Sequence, residues 1–122
     1  MSRKVLIVDD SKTVREVLQS TLVDAGYEVC AAEDGPKALE LVNSNHYDLL
    51  MSDLNMPDMN GFEFITEVRK IPGRRFVPIV VLSGECKKVN FTECSKAGAS
   101  GYLQKPFDRE QVLGVLRMII PY

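Results

Sequence analysis

At 122 residues with a formal net charge of −2, the chain is long enough for one domain, residues 1–122, that buries its own core without disulfide or metal staples. Its near-neutral, slightly acidic balance lacks the basic footprint that grips a phosphate backbone, which argues against nucleic acid as a direct partner. Cys30, Cys86 and Cys94 are odd in number and form no C-x-x-C pair, the pattern of reduced thiols and not of a disulfide framework or zinc site. The first apolar run is too short for a signal peptide and ends in two acids, and no run approaches the roughly 20 apolar residues of a membrane helix. A soluble, cytoplasmic protein away from the membrane is expected.

Val5-Leu6-Ile7-Val8 is continuous rather than alternating, which suits a strand buried on both faces of a parallel sheet. It ends in Asp9-Asp10. Val14, Val17, Leu18, Thr21, Leu22 and Ala25 then repeat as one apolar helical stripe, with Ser11 as N-cap, Thr13-x-x-Glu16 as a competing capping box, and Gly26 as stop. Residues 27–32 read as a second strand. Asp34-Gly35-Pro36 opens a short helix in which Asp34 or Gly35 caps, Pro36 fits the first position, and Ala38, Leu39 and Val42 face inward.

Leu49-Leu50-Met51 forms a third strand that delivers Asp53 where the run stops, before a loop punctuated by Pro57 and Gly61. A helix over residues 62–70 is predicted to bury Phe62, Ile65 and Val68. Residues 77–82 make a fourth strand, ending at Ser83-Gly84-Glu85, with Pro78 tolerable only near its start. A fourth helix over residues 88–96 has a weak stripe, so it has another surface to meet or little holding it. A fifth strand, residues 100–104, precedes Lys105-Pro106. The last helix opens on Asp108-x-x-Gln111, a capping-box variant, and turns Val112, Val115, Leu116 and Ile119 inward.

Strands alternating with helices demand right-handed crossovers and a parallel sheet covered on both faces. In such a sheet, with its switch point between strands one and three, Asp9, Asp10, Asp53, Ser83 and Lys105 all stand at neighbouring carboxyl ends. Three carboxylates so close repel unless a cation joins them. Oxygen-only donors with no His or Cys point to Mg²⁺. A carboxylate nucleophile beside a divalent cation, a hydroxyl and an ammonium can receive a phosphoryl group, yielding an aspartyl phosphate.

Asp9-Asp10, the stretch from Tyr47 through Asp53, Asn55 and Pro57 to Asn60-Gly61, Leu82-Ser83-Gly84, and the stretch from Ala97 to Lys105-Pro106-Phe107 together resemble the receiver domain of bacterial response regulators, across essentially the whole chain. The resemblance implies a flavodoxin-like α/β fold, a doubly wound five-stranded parallel sheet of order 2-1-3-4-5 with five helices. It implies that a histidine kinase or phosphotransfer protein phosphorylates Asp53. Mg²⁺ would be held by the side chains of Asp10 and Asp53 and the Asn55 carbonyl, with Asp9 helping through water. Lys105 would pair with the phosphoryl group, its bond to Pro106 being cis.

Ser83 would be the hydroxyl switch and Tyr102 the aromatic residue that turns inward with it, reshaping a face built by the fourth helix, fifth strand and fifth helix for a downstream protein. Asn55 and Glu85 match positions that tune hydrolysis of the phosphoryl group. Ser83 stands where many members have Thr. With nothing after Tyr122 for an output domain, the chain resembles the single-domain, chemotaxis-type members, although a receiver excised from a larger regulator would look the same. The alternative of a Mg²⁺-dependent aspartyl-phosphate phosphohydrolase is weakened because such enzymes usually place a second acid two residues after the nucleophile, where Asn55 cannot donate the proton.

Overall fold

The computed structural model describes residues 3–56, 58–84 and 98–120. Five parallel strands, β1 (Lys4–Val8), β2 (Glu28–Ala32), β3 (Leu49–Asp53), β4 (Ile79–Ser83) and β5 (Gly101–Gln104), form one sheet of order β2-β1-β3-β4-β5. The described helices are α1 (Lys12–Asp24), α2 (Gly35–Ser44), α3 (Gly61–Lys70) and α4 (Arg109–Ile119). Four helices are therefore described where five were expected; the helix expected over residues 88–96 lies outside the described residues. The last expected helix is α4.

The continuous apolar runs are explained by burial on both faces. Leu6 and Val8 of β1, Leu50 of β3, and Ile79 and Val81 of β4 pack with Val42 of α2 and Phe64, Ile65 and Val68 of α3. Their alternates Val5, Ile7, Leu49, Met51, Val80 and Leu82, with Leu103 of β5, pack with Leu18 and Leu22 of α1 and Val112, Leu113 and Leu116 of α4. Period-two side-chain alternation thus feeds two separate cores from one sheet. β1 sits between β2 and β3, so the chain reverses its winding there and opens a crevice at the strands' carboxyl ends.

Helix starts follow the capping chemistry. Ser11 accepts from the Val14 N–H and Asp34 from the Lys37 N–H, which puts Pro36 at the second helical position rather than the first. Asp108 and Gln111 form the expected capping box at α4, and Asn60 with Glu63 forms another at α3. Gly26, at φ 98°, takes the left-handed conformation that ends α1.

Packing corrects two expectations. Val17 is 51% exposed, because the apolar stripe of α1 is wider than the strip of sheet it covers. In α3 the fully buried aromatic is Phe64, and Phe62 is only partly covered: with two phenylalanines in one turn, the helix rotates to put Phe64, Ile65 and Val68 on one face. Asp48 is structural, accepting from the Lys4 N–H at 2.7 Å.

Candidate functional site

Asp9 follows β1 directly and is 0% exposed, every polar group it carries being engaged. Its N–H donates to the Ala32 carbonyl at 3.2 Å. Its Oδ1 accepts from the Ser11 N–H at 2.9 Å and its Oδ2 from Lys105 Nζ at 2.8 Å. The Asp9 carbonyl accepts from Arg15 Nη1 at 2.7 Å. A buried carboxylate survives only with such partners.

Asp53 closes β3 and is 5% exposed. Its Oδ1 lies 3.4 Å from Lys105 Nζ and accepts from the Asn55 N–H at 3.4 Å. Burial is the main force pushing the Asp53 carboxyl up to about 6, and the Asp9 charge adds to it; Lys105 and the Asn55 N–H pull the other way. Near neutral pH the group still carries the negative charge a nucleophile needs. Burial alone would lower the Lys105 pKa, but Asp9 and Asp53 outweigh it and the net direction is up.

Lys105 is carried to this position by the end of β5. Its N–H donates to the Ser83 carbonyl at 2.7 Å, continuing the β4–β5 pairing one step past the strands, and its bond to Pro106 is cis, as expected. Ser83, at the end of β4, is fully buried. Asn55 is exposed at the mouth of the crevice. Tyr102 is half-buried on β5, on the face opposite Leu103. Glu85 lies outside the described residues.

Asp9, Asp10 and Asp53 each offer a carboxylate oxygen within 4.8 Å of the others. The donors are all oxygen, as a hard divalent cation such as Mg²⁺ requires. Two of the three acids already share the Lys105 ammonium, so part of the charge balance expected from a metal is supplied by the chain itself. Asp10, the exposed member, has no hydrogen-bond or ion-pair partner among the described residues. The residues present therefore fit Mg²⁺, with Asp10 as the free donor.

The loop after β3 is held by close backbone approach. Gly61 N–H donates to the Leu54 carbonyl at 2.8 Å. A Cβ on Gly61 would stand 2.9 Å from Leu54 Cα and 3.0 Å from the Asp53 carbonyl oxygen, so only glycine lets α3 start this close to the end of β3.

Sequence reasoning missed Arg15, and it read Gly61 as loop punctuation and as part of the family motif without seeing its close backbone contact. The only signal for Arg15 was a long basic side chain within reach of the strand-one acids.

A doubly wound sheet whose switch-point crevice gathers three acids, a buried serine and a lysine after the last strand defines a phosphoryl-accepting signalling domain. The chain belongs to the response regulator receiver domain family, whose model matches residues 5–117. It is 37% identical over 105 residues to the chemotaxis protein CheY of Pseudomonas aeruginosa, a match that covers 85% of each chain. The solved structure of Vibrio cholerae CheY4 superposes with a TM-score of 0.96 at 42% identity, covering 98% of this chain and 100% of that one. The receiver domain of a Pseudomonas aeruginosa sensor histidine kinase, solved with a magnesium ion coordinated in its active site cleft, superposes with a TM-score of 0.91 at 28% identity over 100% of both chains. The chain is accordingly a protein of two-component phosphorelay signalling that works through an aspartate phosphorylation switch. Among the described residues no helix is long and apolar enough to cross a membrane.

Proposed function

We propose that Asp53 is the phosphorylated residue, that a cytoplasmic histidine kinase or phosphotransfer protein is the donor, and that Asp9, Asp10, Asp53 and the Asn55 carbonyl hold Mg²⁺. The observation that carries this reading is the Lys105 ammonium, set between Asp9 and Asp53 at 2.8 and 3.4 Å beside the three-acid cluster. Bound there, Mg²⁺ supplies positive charge for the oxygens of the incoming phosphoryl group.

An Asp53 carboxylate oxygen attacks phosphorus as the phosphorus–nitrogen bond to the donor histidine breaks, and the freed imidazole takes its proton from solvent. Lys105 is placed to leave Asp53 Oδ1 for a phosphoryl oxygen while it keeps its hydrogen bond to Asp9. Ser83 donates its hydroxyl to a second phosphoryl oxygen and Tyr102 follows it inward, so that phosphorylation shifts the population between two forms of the surface around β5 and α4. That surface meets the downstream protein. Asn55, at the crevice mouth, and Glu85 set how readily water reaches the acyl phosphate. Asn55 carries an amide, which gives no proton donor for rapid phosphohydrolase turnover.

The test is intact-protein mass after incubation with acetyl phosphate and Mg²⁺. One labile phosphoryl adduct is expected on the wild type and none on Asp53→Ala or without metal. Fast donor consumption with no adduct would instead make the chain a phosphohydrolase, and no adduct with no consumption would make the site inert.

A further inference from the structure

We infer that Arg15 is a positioning residue for the acid cluster: its guanidinium holds the peptide plane between Asp9 and Asp10 and thereby sets where the Asp10 carboxylate stands. The inference rests on the reading of that cluster as a Mg²⁺ site.

Arg15 ends the first turn of α1, and its Nη1 donates to the Asp9 carbonyl at 2.7 Å in a half-buried setting. The carbonyl of Asp9 and the N–H of Asp10 belong to one rigid planar unit, so gripping the oxygen fixes the orientation from which Asp10 departs. On the far side, the turn from Asp9 Oδ1 to the Ser11 N–H, 2.9 Å long, fixes the exit. Asp10 itself is exposed. Its carboxylate has no partner among the described residues, so among them this backbone is what sets its placement. A charge-assisted bond to a carbonyl is among the stronger restraints a side chain can impose.

Arg15 has two possible effects on a divalent ion, and they differ in sign. As a cation it repels the ion, and as a clamp on the ligand backbone it favours binding. The short bond, and an Asp10 side chain with no partner among the described residues, make the clamp dominant.

The experiment is calorimetric titration of Mg²⁺ into wild type, Arg15→Met, Arg15→Lys, Asp10→Asn and the Arg15→Met/Asp10→Asn double variant, with urea unfolding of each to verify folding. Arg15→Gln replaces the methionine variant should that one not fold. Arg15→Met is expected to weaken Mg²⁺ binding roughly tenfold, in the range for residues that orient metal ligands. Arg15→Lys, which keeps a donor, should recover most of that loss, and Arg15→Met should add little once Asp10 is Asn. Unchanged or tighter binding by Arg15→Met, or an undiminished loss on top of Asp10→Asn, would overturn the role of Arg15 and leave the metal site standing. Equal affinity of wild type and Asp10→Asn would overturn the reading of the cluster, and the inference with it.

Discussion

Lys105 Nζ lies 2.8 Å from Asp9 Oδ2, joining the ends of the first and last strands across 96 positions of sequence. The strand order puts β3 and β4 between them, so the lysine reaches back over the crevice and passes Asp53 on the way. This one ammonium lets two acids, Asp9 at 0% and Asp53 at 5% exposure, stand side by side.

Lys105→Met removes that compensation and leaves Asp9 with the Ser11 N–H as its remaining carboxylate partner. Without Mg²⁺ the variant should lose roughly 1–3 kcal/mol of stability, the cost of stranding a buried charged acceptor. Mg²⁺ binding should tighten severalfold because a nearby cation is gone. Phosphorylation by acetyl phosphate should slow by roughly 10²–10³, since a donor aimed at the phosphoryl oxygens is lost. Urea unfolding, calorimetry and adduct formation followed by mass separate the three effects. Faster phosphorylation would mean the lysine only balances charge.

Asp53→Asn should do the reverse to stability. The Asp53 carboxyl sits at about 6 when folded, against 3.8 for an unperturbed aspartate, so the folded state holds this proton more tightly than the unfolded chain. Its contribution is fully present below about pH 4 and is lost as pH rises through 6. The Asn variant should therefore equal wild type near pH 4 and exceed it by roughly 2–3 kcal/mol above pH 7 in metal-free buffer. Saturating Mg²⁺ should close the gap by stabilising only the wild type. Urea midpoints from pH 4 to 8 with and without metal decide it, and a gap that widens toward acid would contradict the assignment.

Asp108→Ala tests a part of the fold with no share in the chemistry. The Asp108 side chain accepts from the Gln111 N–H at 2.8 Å, and Gln111 returns a bond to the Asp108 N–H at 2.9 Å. Loss of the cap should cost about 1 kcal/mol. Phosphorylation and Mg²⁺ affinity should stay within error of wild type. A slowed phosphorylation rate would tie the start of α4 to the site.

Four of the strands were legible because a doubly wound sheet leaves a plain signature, apolar runs that stop at a polar residue; their order came from the resemblance to the receiver family and not from the runs. Asp9, Asp53 and Ser83 could be placed from those stops alone, and Asp34 and Asp108 from capping chemistry. Rotation of a helix was less legible, since the stripe of α1 accommodates Val17 and α3 offers both Phe62 and Phe64, and only packing chooses. Long side chains were the least legible. Nothing in the order of residues says that Arg15 folds back to the Asp9 carbonyl, or that Lys105 bonds Asp9 more closely than Asp53. Glu85 and the helix expected over residues 88–96 lie outside the described residues.

Gly61 and Gly26 separate two reasons for glycine. At Gly26, φ is 98° and nothing stands within 4 Å of where a Cβ would go, so Gly26→Ala meets backbone strain alone, about 1 kcal/mol, remote from the site. At Gly61 the obstacle is contact: a Cβ would press on Leu54 Cα at 2.9 Å and the Asp53 carbonyl oxygen at 3.0 Å. Both are backbone and cannot rotate away. Gly61→Ala should cost roughly 1–3 kcal/mol, as overpacking does. It should also slow phosphorylation by about tenfold or more, because the atoms displaced belong to the nucleophile's own peptide. Urea unfolding with the acetyl phosphate reaction, run on both variants, should show stability falling in each and the rate falling only for Gly61→Ala. Equal rates would mean that α3 can retreat without moving Asp53, and the close approach would then serve the fold alone.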